Sequence, residues 1–313
     1  MAGPAARIAV VRNARSGSAP DQATLQRALR AAGVSASIFD APIGDASDRQ
    51  DDATSDVAPW LDHLAADHDV LVAAGGDGTV SAVANVAARR GKTLGIVPAG
   101  TMNHFARDAN IPTEINRAAL VIASGCTRDI DVGSVNGRLF LNNVSLGNYP
   151  RMVHARAGIE QRGVPHRIAG AIAAARTWWS LRNLAAAITV DGHSLIRRSP
   201  FIVIANGRYV LAGLSLTRRQ QINDGSLSLY VAPATGRLGA LVLPFRALIG
   251  TLESHEQFES FRAMRITVGV GRAEVRVAID GEVLTLQAPL EFTIRRQTLR
   301  VLVAGPQLRS VRP

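Results

Sequence analysis

The sequence predicts an α/β protein: a doubly wound, Rossmann-like parallel-sheet domain followed by an antiparallel β-sandwich. Three observations predict it. Up to about residue 125, apolar runs alternate with helical stretches; beyond Arg128, short β-rich segments separated by turn residues take over; and the early strands end in polar, glycine-bearing turns.

Ile8 to Val11 is a strand, and Asp21 to Ala32 an amphipathic helix closed by Gly33. Ser35 to Phe39 is a second strand and Asp56 to Asp67 a second helix. The run Val70-Leu71-Val72-Ala73-Ala74 is apolar throughout, as suits a parallel strand buried on both faces. Val80 to Arg90 is rich in Ala and Val and reads as a helix, Leu94 to Val97 as a fourth strand, and Thr113 to Ser124 as a further helix. The sandwich strands are expected at 129–135, 138–144, 186–191, 195–205, 227–232, 264–270, 273–279, 283–286, 290–295 and 298–303, with helical stretches around 165–183 and 236–250. The expected domains are 1–127 and 128–313, divided by a change of period rather than a flexible tether, with the last residues packing back on the first domain.

Composition narrows the class. At 313 residues the chain can bury two cores, and 47% of it is apolar. No apolar run reaches the roughly 18 residues of a membrane span, and Leu238 to Gly250 is interrupted by Pro244 and Arg246. The start, MAGPAARIAVVRN, lacks a signal peptide's longer core and cleavage site, and the single cysteine, Cys126, fits a reducing compartment, so the expected location is cytoplasmic. The formal charge is +10, carried almost wholly by arginine, since Lys92 is the only lysine. Arg151 to Arg219 holds eleven arginines against Glu160 and Asp191, which suggests a surface that meets phosphates. Few aromatics interleave with them, which counts against single-stranded nucleic acid and leaves an anionic membrane surface.

Ligands of such sheets gather at the carboxyl ends of the strands. RNARSG (12–17), AAGGDGT (73–79) and PAGTMN (98–103) all follow predicted strands and would meet at one rim. A glycine turn that opens a helix presents outward amides and partial positive charge to a phosphate. Neither a P-loop nor G-x-G-x-x-G is present, and no H-E-x-x-H or C-x-x-C suggests zinc. Near the C-terminus, VRVAIDGEVLTL places Asp280 and Glu282 around Gly281; Asp-Gly between alternating strands is also the commonest hairpin signal.

As a set, GGDGT behind a strand, then GIVPAGTMNHFARD, then DGE, resembles the diacylglycerol kinase catalytic-domain family. These are soluble bacterial lipid kinases, akin to sphingosine and ceramide kinases and distantly to NAD kinases. NARSG stands where the family has N-P-x-S-G, and DIDVGSVNGRLFLNNVSLG and NDGSLSLYV extend the match over nearly the whole chain. The resemblance implies that ATP lies in a cleft between the domains. Its phosphates would be surrounded by Asn13, Ala14, Arg15, Ser16, Gly17, Ala74, Gly75, Gly76, Asp77, Gly78, Thr79, Val80, Gly100, Thr101 and Asn103, with Asp40 beside them. It implies that Asp280 and Glu282 carry the acid–base chemistry, and that Asp224, with carbonyls of Gln221 and Ser226, holds a structural Mg²⁺. Phosphoryl transfer to a hydroxyl does need a carboxylate to accept the proton, beside Mg²⁺ and backbone donors.

Three positions depart from the family pattern. His104 replaces an aspartate in G-T-x-N-D-F, Ser18 stands where a lysine often follows Ser-Gly, and Asp40 stands where a threonine is usual. A carboxylate at 40 is a poor neighbour for phosphate, so Asp40 either points away or alters nucleotide binding.

The expected activity is ATP-dependent phosphorylation of a lipid hydroxyl, diacylglycerol or a similar lipid alcohol, by a protein peripherally attached to the inner face of the membrane. VPHRIAGAIAAARTWWSLRNL (164–184) is either a core helix or an interfacial one with Trp at the headgroup level. An exposed sandwich strand offers a surface for a homodimer. Two other readings stay open: a kinase of a soluble acceptor, as NAD kinases are, and a non-catalytic nucleotide or lipid sensor.

Overall fold

The computed structural model describes residues 6–14, 20–42, 57–148, 183–212, 215–234 and 258–305. In chain order these form β1 (Ile8–Arg12), α1 (Gln22–Ala31), β2 (Ser37–Asp40), α2 (Val57–Asp67), β3 (Val70–Gly75), α3 (Asp77–Arg90), β4 (Thr93–Pro98), α4 (His104–Asp108), α5 (Ile115–Ser124) and β5 (Thr127–Val135). Then follow β6 (Arg138–Phe140), β7 (Asn143–Gly147), β8 (Leu184–Val190), β9 (His193–Ser199), β10 (Phe201–Asn206), β11 (Tyr209–Ala212), β12 (Ser215–Arg219), β13 (Leu227–Val231), β14 (Glu259–Ala263), β15 (Arg265–Val270), β16 (Glu274–Ile279), β17 (Glu282–Gln287) and β18 (Leu290–Leu302). The chain divides into two compact units, Met1–Val132 with Arg296–Pro313, and Gly133–Arg295. No helix among the described residues is long and apolar enough to cross a membrane.

The first unit is built on parallel strands in the order β2-β1-β3-β4, continued by the end of β18, where Arg300 pairs with Thr93 and Val301 with Leu94. Alternation along the strands buries both faces. Val10, Val72 and Val97 pack with Leu25 and Leu29 of α1 and with Val121 and Ile122 of α5, while Ala9, Val11, Leu71, Ala73 and Ile96 are equally buried on the opposite face. Full burial of Leu25 and Leu29 contributes about 1.5–3 kcal/mol each. Asp21 caps α1 by accepting the Thr24 amide at 2.7 Å, a bond that holds its carboxyl below the usual carboxylate range.

The second unit is two antiparallel layers. One is β14-β13-β10-β7-β16-β17; the other runs β9-β8-β15 and takes in Leu290–Thr293 of β18. Every second residue turns inward: Ile202 and Ile204, Leu227 and Leu229, and Val277 and Ile279 from the first meet Ile188 and Val190, Ile266 and Val268, and Leu290 and Phe292 from the second. The predicted class, an α/β parallel-sheet domain joined to an antiparallel sandwich, is the observed one.

Several boundaries differ for identifiable reasons. The segment expected at 195–205 is two strands in different layers, because Pro200 has no amide to continue a ladder. The segment 138–144 breaks after Phe140, where side chains described below seize the backbone of Leu141 and Asn142. The two segments at 290–295 and 298–303 are one strand, β18. Helix α3 starts at Asp77 rather than Val80, so the glycine motif itself forms the helix entry. Strands β11, β12 and β14 were not anticipated. The expected helical stretches around 165–183 and 236–250 fall outside the described residues, Asn183 excepted.

Candidate functional site

In the first unit, β3 ends at Gly75, Gly76 is the extended N-cap at φ −85°, and α3 begins at once. The first helical bond runs from the Val80 N–H to the Gly76 carbonyl at 3.0 Å. The amides of Asp77, Gly78 and Thr79 therefore stand ahead of the ladder, and Gly76 has no side chain with which to cap them. Such a helix entry is built to receive an anion.

Close backbone approach explains two of the glycines. A Cβ on Gly75 would lie 2.5 Å from Thr79 Oγ1, and one on Gly100 would lie 2.6 Å from Gly76 Cα. The turns after β3 and β4 thus touch main chain to main chain, and the Ala99 amide donates to the Gly75 carbonyl at 2.9 Å. The turn after β1 joins them: Asn13 donates its amide to the Ala74 carbonyl at 3.0 Å and its side-chain Nδ2 to Thr79 Oγ1 at 3.2 Å. Asn103, at φ +50°, grips both ends of Gly100, accepting its N–H at 2.9 Å and donating to its carbonyl at 2.7 Å. Asp77 Oδ1 accepts the Phe105 amide at 3.4 Å, linking the starts of α3 and α4. Ala74 and Val80 are buried, so any part they take in binding is through the backbone; Ala14 and Thr101 are exposed at the same rim, and His104 is half-buried. Arg15, Ser16, Gly17 and Ser18 lie outside the described residues.

Asp40, the unusual carboxylate, is taken up by a residue the sequence reading passed over. Arg12 forms a two-pronged pair with it, Nε to Oδ1 at 2.7 Å and Nη2 to Oδ2 at 2.8 Å, across the β1–β2 register. The bond to Asp40 raises the Arg12 pKa further above its already high ordinary value. The negative charge at 40 therefore comes with its own cation.

In the second unit, Asp280 and Gly281 are the two-residue loop of the β16–β17 hairpin. Both have positive φ, +48° and +94°, as a type I′ turn requires. The Asp280 carboxylate faces the break between β6 and β7. It accepts the amides of Leu141 and Asn142 at 2.8 Å each and that of Asn143 at 3.1 Å, while the Asp280 amide donates to the Asn143 carbonyl at 2.9 Å. The other side of the same tripeptide is held by two residues to which the sequence reading assigns no place in the site. Asn206 donates to the Leu141 carbonyl at 3.0 Å, and Arg219, only 5% exposed, donates to that carbonyl and to Asn142 Oδ1. Arg219 also donates to the Tyr209 hydroxyl at 2.8 Å and lies 5.3 Å from its ring centroid. Glu282, the first residue of β17, is half-buried and two residues on from Asp280.

Of the oxygens expected around a structural Mg²⁺, those of Asp224 and Ser226 are engaged otherwise. Asp224 Oδ1 accepts from Arg262 Nη2 at 2.7 Å and Oδ2 from the Ser226 hydroxyl at 3.0 Å. The Ser226 carbonyl accepts the Gly207 amide at 3.0 Å. Gln221 is exposed, its carbonyl 3.1 Å from where a Cβ of Gly207 would be. Arranged this way, the residues do not fit a resident divalent ion: the Arg262 guanidinium already occupies the cation's place on Asp224 and would have to be displaced. Among the described residues no cluster of three or more His, Cys, Asp or Glu could hold a metal. No motif assigns these roles to Arg12, Arg219 and Arg262; their partners lie 28, 78 and 38 residues away in sequence.

The diacylglycerol kinase catalytic domain matches residues 7–135, and the YegS C-terminal NAD kinase beta sandwich-like domain matches residues 151–303. A probable lipid kinase YegS-like protein of Pseudomonas aeruginosa is 34% identical over 185 residues, 57% of this chain and 61% of that protein. A diacylglycerol kinase of Bacillus subtilis is 28% identical over 217 residues, 68% of this chain and 71% of that one. The match to the Pseudomonas relative thus spans about three-fifths of its length. A crystal structure from Bacillus anthracis shares the fold at 23% identity with a TM-score of 0.73, covering 96% of both chains. That of a diacylglycerol kinase from the same organism shares it at 20% identity and a TM-score of 0.67, covering 96% of this chain and 98% of that one. With both family domains in order along its length, the chain belongs to the diacylglycerol kinase catalytic-domain family.

Proposed function

We propose that this chain is an ATP-dependent lipid kinase that phosphorylates the hydroxyl of diacylglycerol or a similar membrane lipid alcohol. The observation that carries the reading is the glycine-rich entry to α3, Gly75 to Thr79, pressed against Gly100 and tied to Asn13. That arrangement suits a polyphosphate: three leading amides and a helix dipole meet its charge, and Gly76 and Gly78 put no Cβ in its way. Mg²⁺ arriving with ATP neutralises charge on the β- and γ-phosphates. Arg12 screens Asp40, so that carboxylate does not repel the ligand.

In the proposed reaction the lipid hydroxyl oxygen bonds to the γ-phosphorus as the bond to the β-phosphate oxygen breaks, ADP departs, and the hydroxyl proton passes to a carboxylate. Asp280 has three backbone donors on its oxygens, which favours Glu282 as the proton acceptor and Asp280 as the residue that fixes the turn. The basic segment 151–219 supports attachment to the inner, anionic face of the membrane, in a cytoplasmic protein. Within its described part, Ile196 on edge strand β9 is 78% exposed beside Arg197 and Arg198.

The test is γ-labelled ATP with mixed vesicles carrying diacylglycerol, monoacylglycerol, ceramide or a long-chain base, alongside a soluble-acceptor panel and vesicle flotation. Label is expected in the lipid phase, lost in Glu282→Gln, from protein that floats with anionic vesicles. Label only in a soluble acceptor, or no labelled product from intact protein that binds ATP, overturns the proposal in favour of an NAD-kinase-like enzyme or a sensor.

A further inference from the structure

We infer that Arg262 takes the place of a resident divalent cation at Asp224, so that this chain binds no structural Mg²⁺ there. Asp224 sits in the turn leading into β13, next to Gly225 at φ +67°, and its side chain is 13% exposed. A carboxylate so enclosed needs a positive partner. Arg262, on neighbouring strand β14 and in register with Ser228, supplies one. Its Nη2 lies 2.7 Å from Asp224 Oδ1 and 3.1 Å from Ser226 Oγ, and its Nε lies 3.3 Å from the same hydroxyl.

The chemistry of the donor set separates the two occupants. A Mg²⁺ ion demands six oxygens with lone pairs aimed at it, at about 2.0–2.1 Å. Here one carboxylate oxygen receives the guanidinium and the other receives the serine proton. The Ser226 hydroxyl, having donated to Asp224, turns its lone pairs to Arg262, and the Ser226 carbonyl receives the Gly207 amide. Each contact runs from a donor to an acceptor in a sense that a guanidinium completes. A cation would have to evict Arg262 and redirect Ser226. One positive charge on a side chain thus balances the turn, with no need for a metal from solution.

The inference concerns the resting, nucleotide-free protein and stands apart from the proposed kinase activity, so its test reads metal and stability rather than turnover. Full-length protein dialysed against metal-free buffer is titrated with Mn²⁺ and followed by electron paramagnetic resonance, with Asp224→Asn in parallel. Wild type and Asp224→Asn are expected to bind the same number of Mn²⁺ ions, and elemental analysis of the dialysed wild type to find no stoichiometric metal. Thermal melts add the second arm: Arg262→Gln lowers the melting temperature by about 2–4 °C, and excess Mg²⁺ leaves the wild-type value unchanged. A stoichiometric metal ion in the dialysed protein, one Mn²⁺ fewer in Asp224→Asn, or an unchanged melting temperature in Arg262→Gln would overturn the inference.

Discussion

Leu141 and Asp280, 139 residues apart, are joined by a 2.8 Å hydrogen bond from the Leu141 amide to the Asp280 carboxylate. With the bonds to Asn142 and Asn143, it makes Asp280 the residue that fixes the turn, and the proposed division of roles leaves proton acceptance to Glu282.

Asp280→Ala is expected to remove three charge-assisted bonds and leave a non-glycine residue at φ +48°, costing about 3–5 kcal/mol of stability. Glu282→Gln, which keeps the side chain's size and its capacity to hydrogen-bond, is expected to cost less stability than Asp280→Ala while kcat falls by roughly 10²–10⁴-fold. Urea unfolding beside steady-state kinetics separates the two, and equal losses of stability would refute the division of roles.

Arg219 holds the far side of the same tripeptide from a position 5% exposed. Arg219→Ala leaves the Tyr209 hydroxyl and the Asn142 side chain short of a donor, and is expected to cost about 2–4 kcal/mol. Hydrogen exchange should speed up at Leu141 to Asn143 before the rest of the sandwich responds. Uniform exchange across the sheet would count against a local clamp.

Gly100→Ala drives a methyl group to 2.6 Å from Gly76 Cα, which neither backbone can escape without moving. The expected cost is about 1–3 kcal/mol, with ATP affinity reduced by more than the stability change alone explains. Calorimetric titration with ATP checks it.

Arg12→Ala strips Asp40 of its cation at the end of β2. The Kd for ATP is expected to rise roughly fivefold, the equivalent of about 1 kcal/mol at a half-exposed carboxylate. Asp40→Thr in the same background should restore it. Failure of that rescue would show that Arg12 acts by another route.

Asp62 on α2 pairs with Arg90 at 2.8 Å and Arg89 at 3.2 Å on α3, and the hydrogen bond from Arg90 chiefly lowers its pKa. A depressed carboxylate pKa stabilises the fold above the unfolded value, and that stabilisation is lost as pH falls through the folded value. Wild type should therefore lose stability below about pH 4 more steeply than Asp62→Asn. Parallel acid titrations by circular dichroism test the difference.

How much of this was legible depended on how local the signal was. Strands β1, β3 and β4 of the first unit announce themselves as apolar runs because both of their faces are buried, and the glycine rim because its turns lie within the motif. Strands β9 and β10 merged in the reading because apolar periodicity does not register that a chain has changed sheets at Pro200. Strand β14, ESFRA, shows three exposed residues in five and so no inward alternation to detect. The ion pairs at Asp40 and Asp224 were out of reach for a different reason. A carboxylate's partner is fixed by strand register, and register is a property of the folded sheet.

The grip of Asp280 on 141–143 has a consequence for how this protein can change over generations. Its carboxylate recognises peptide N–H groups, which every amino acid but one provides. Substitutions in that tripeptide are therefore invisible to the Asp280 carboxylate, although one at Asn142 forfeits its side-chain bond from Arg219. Proline is the residue it excludes, and a lineage that acquired one there would have to find a new way to close the turn.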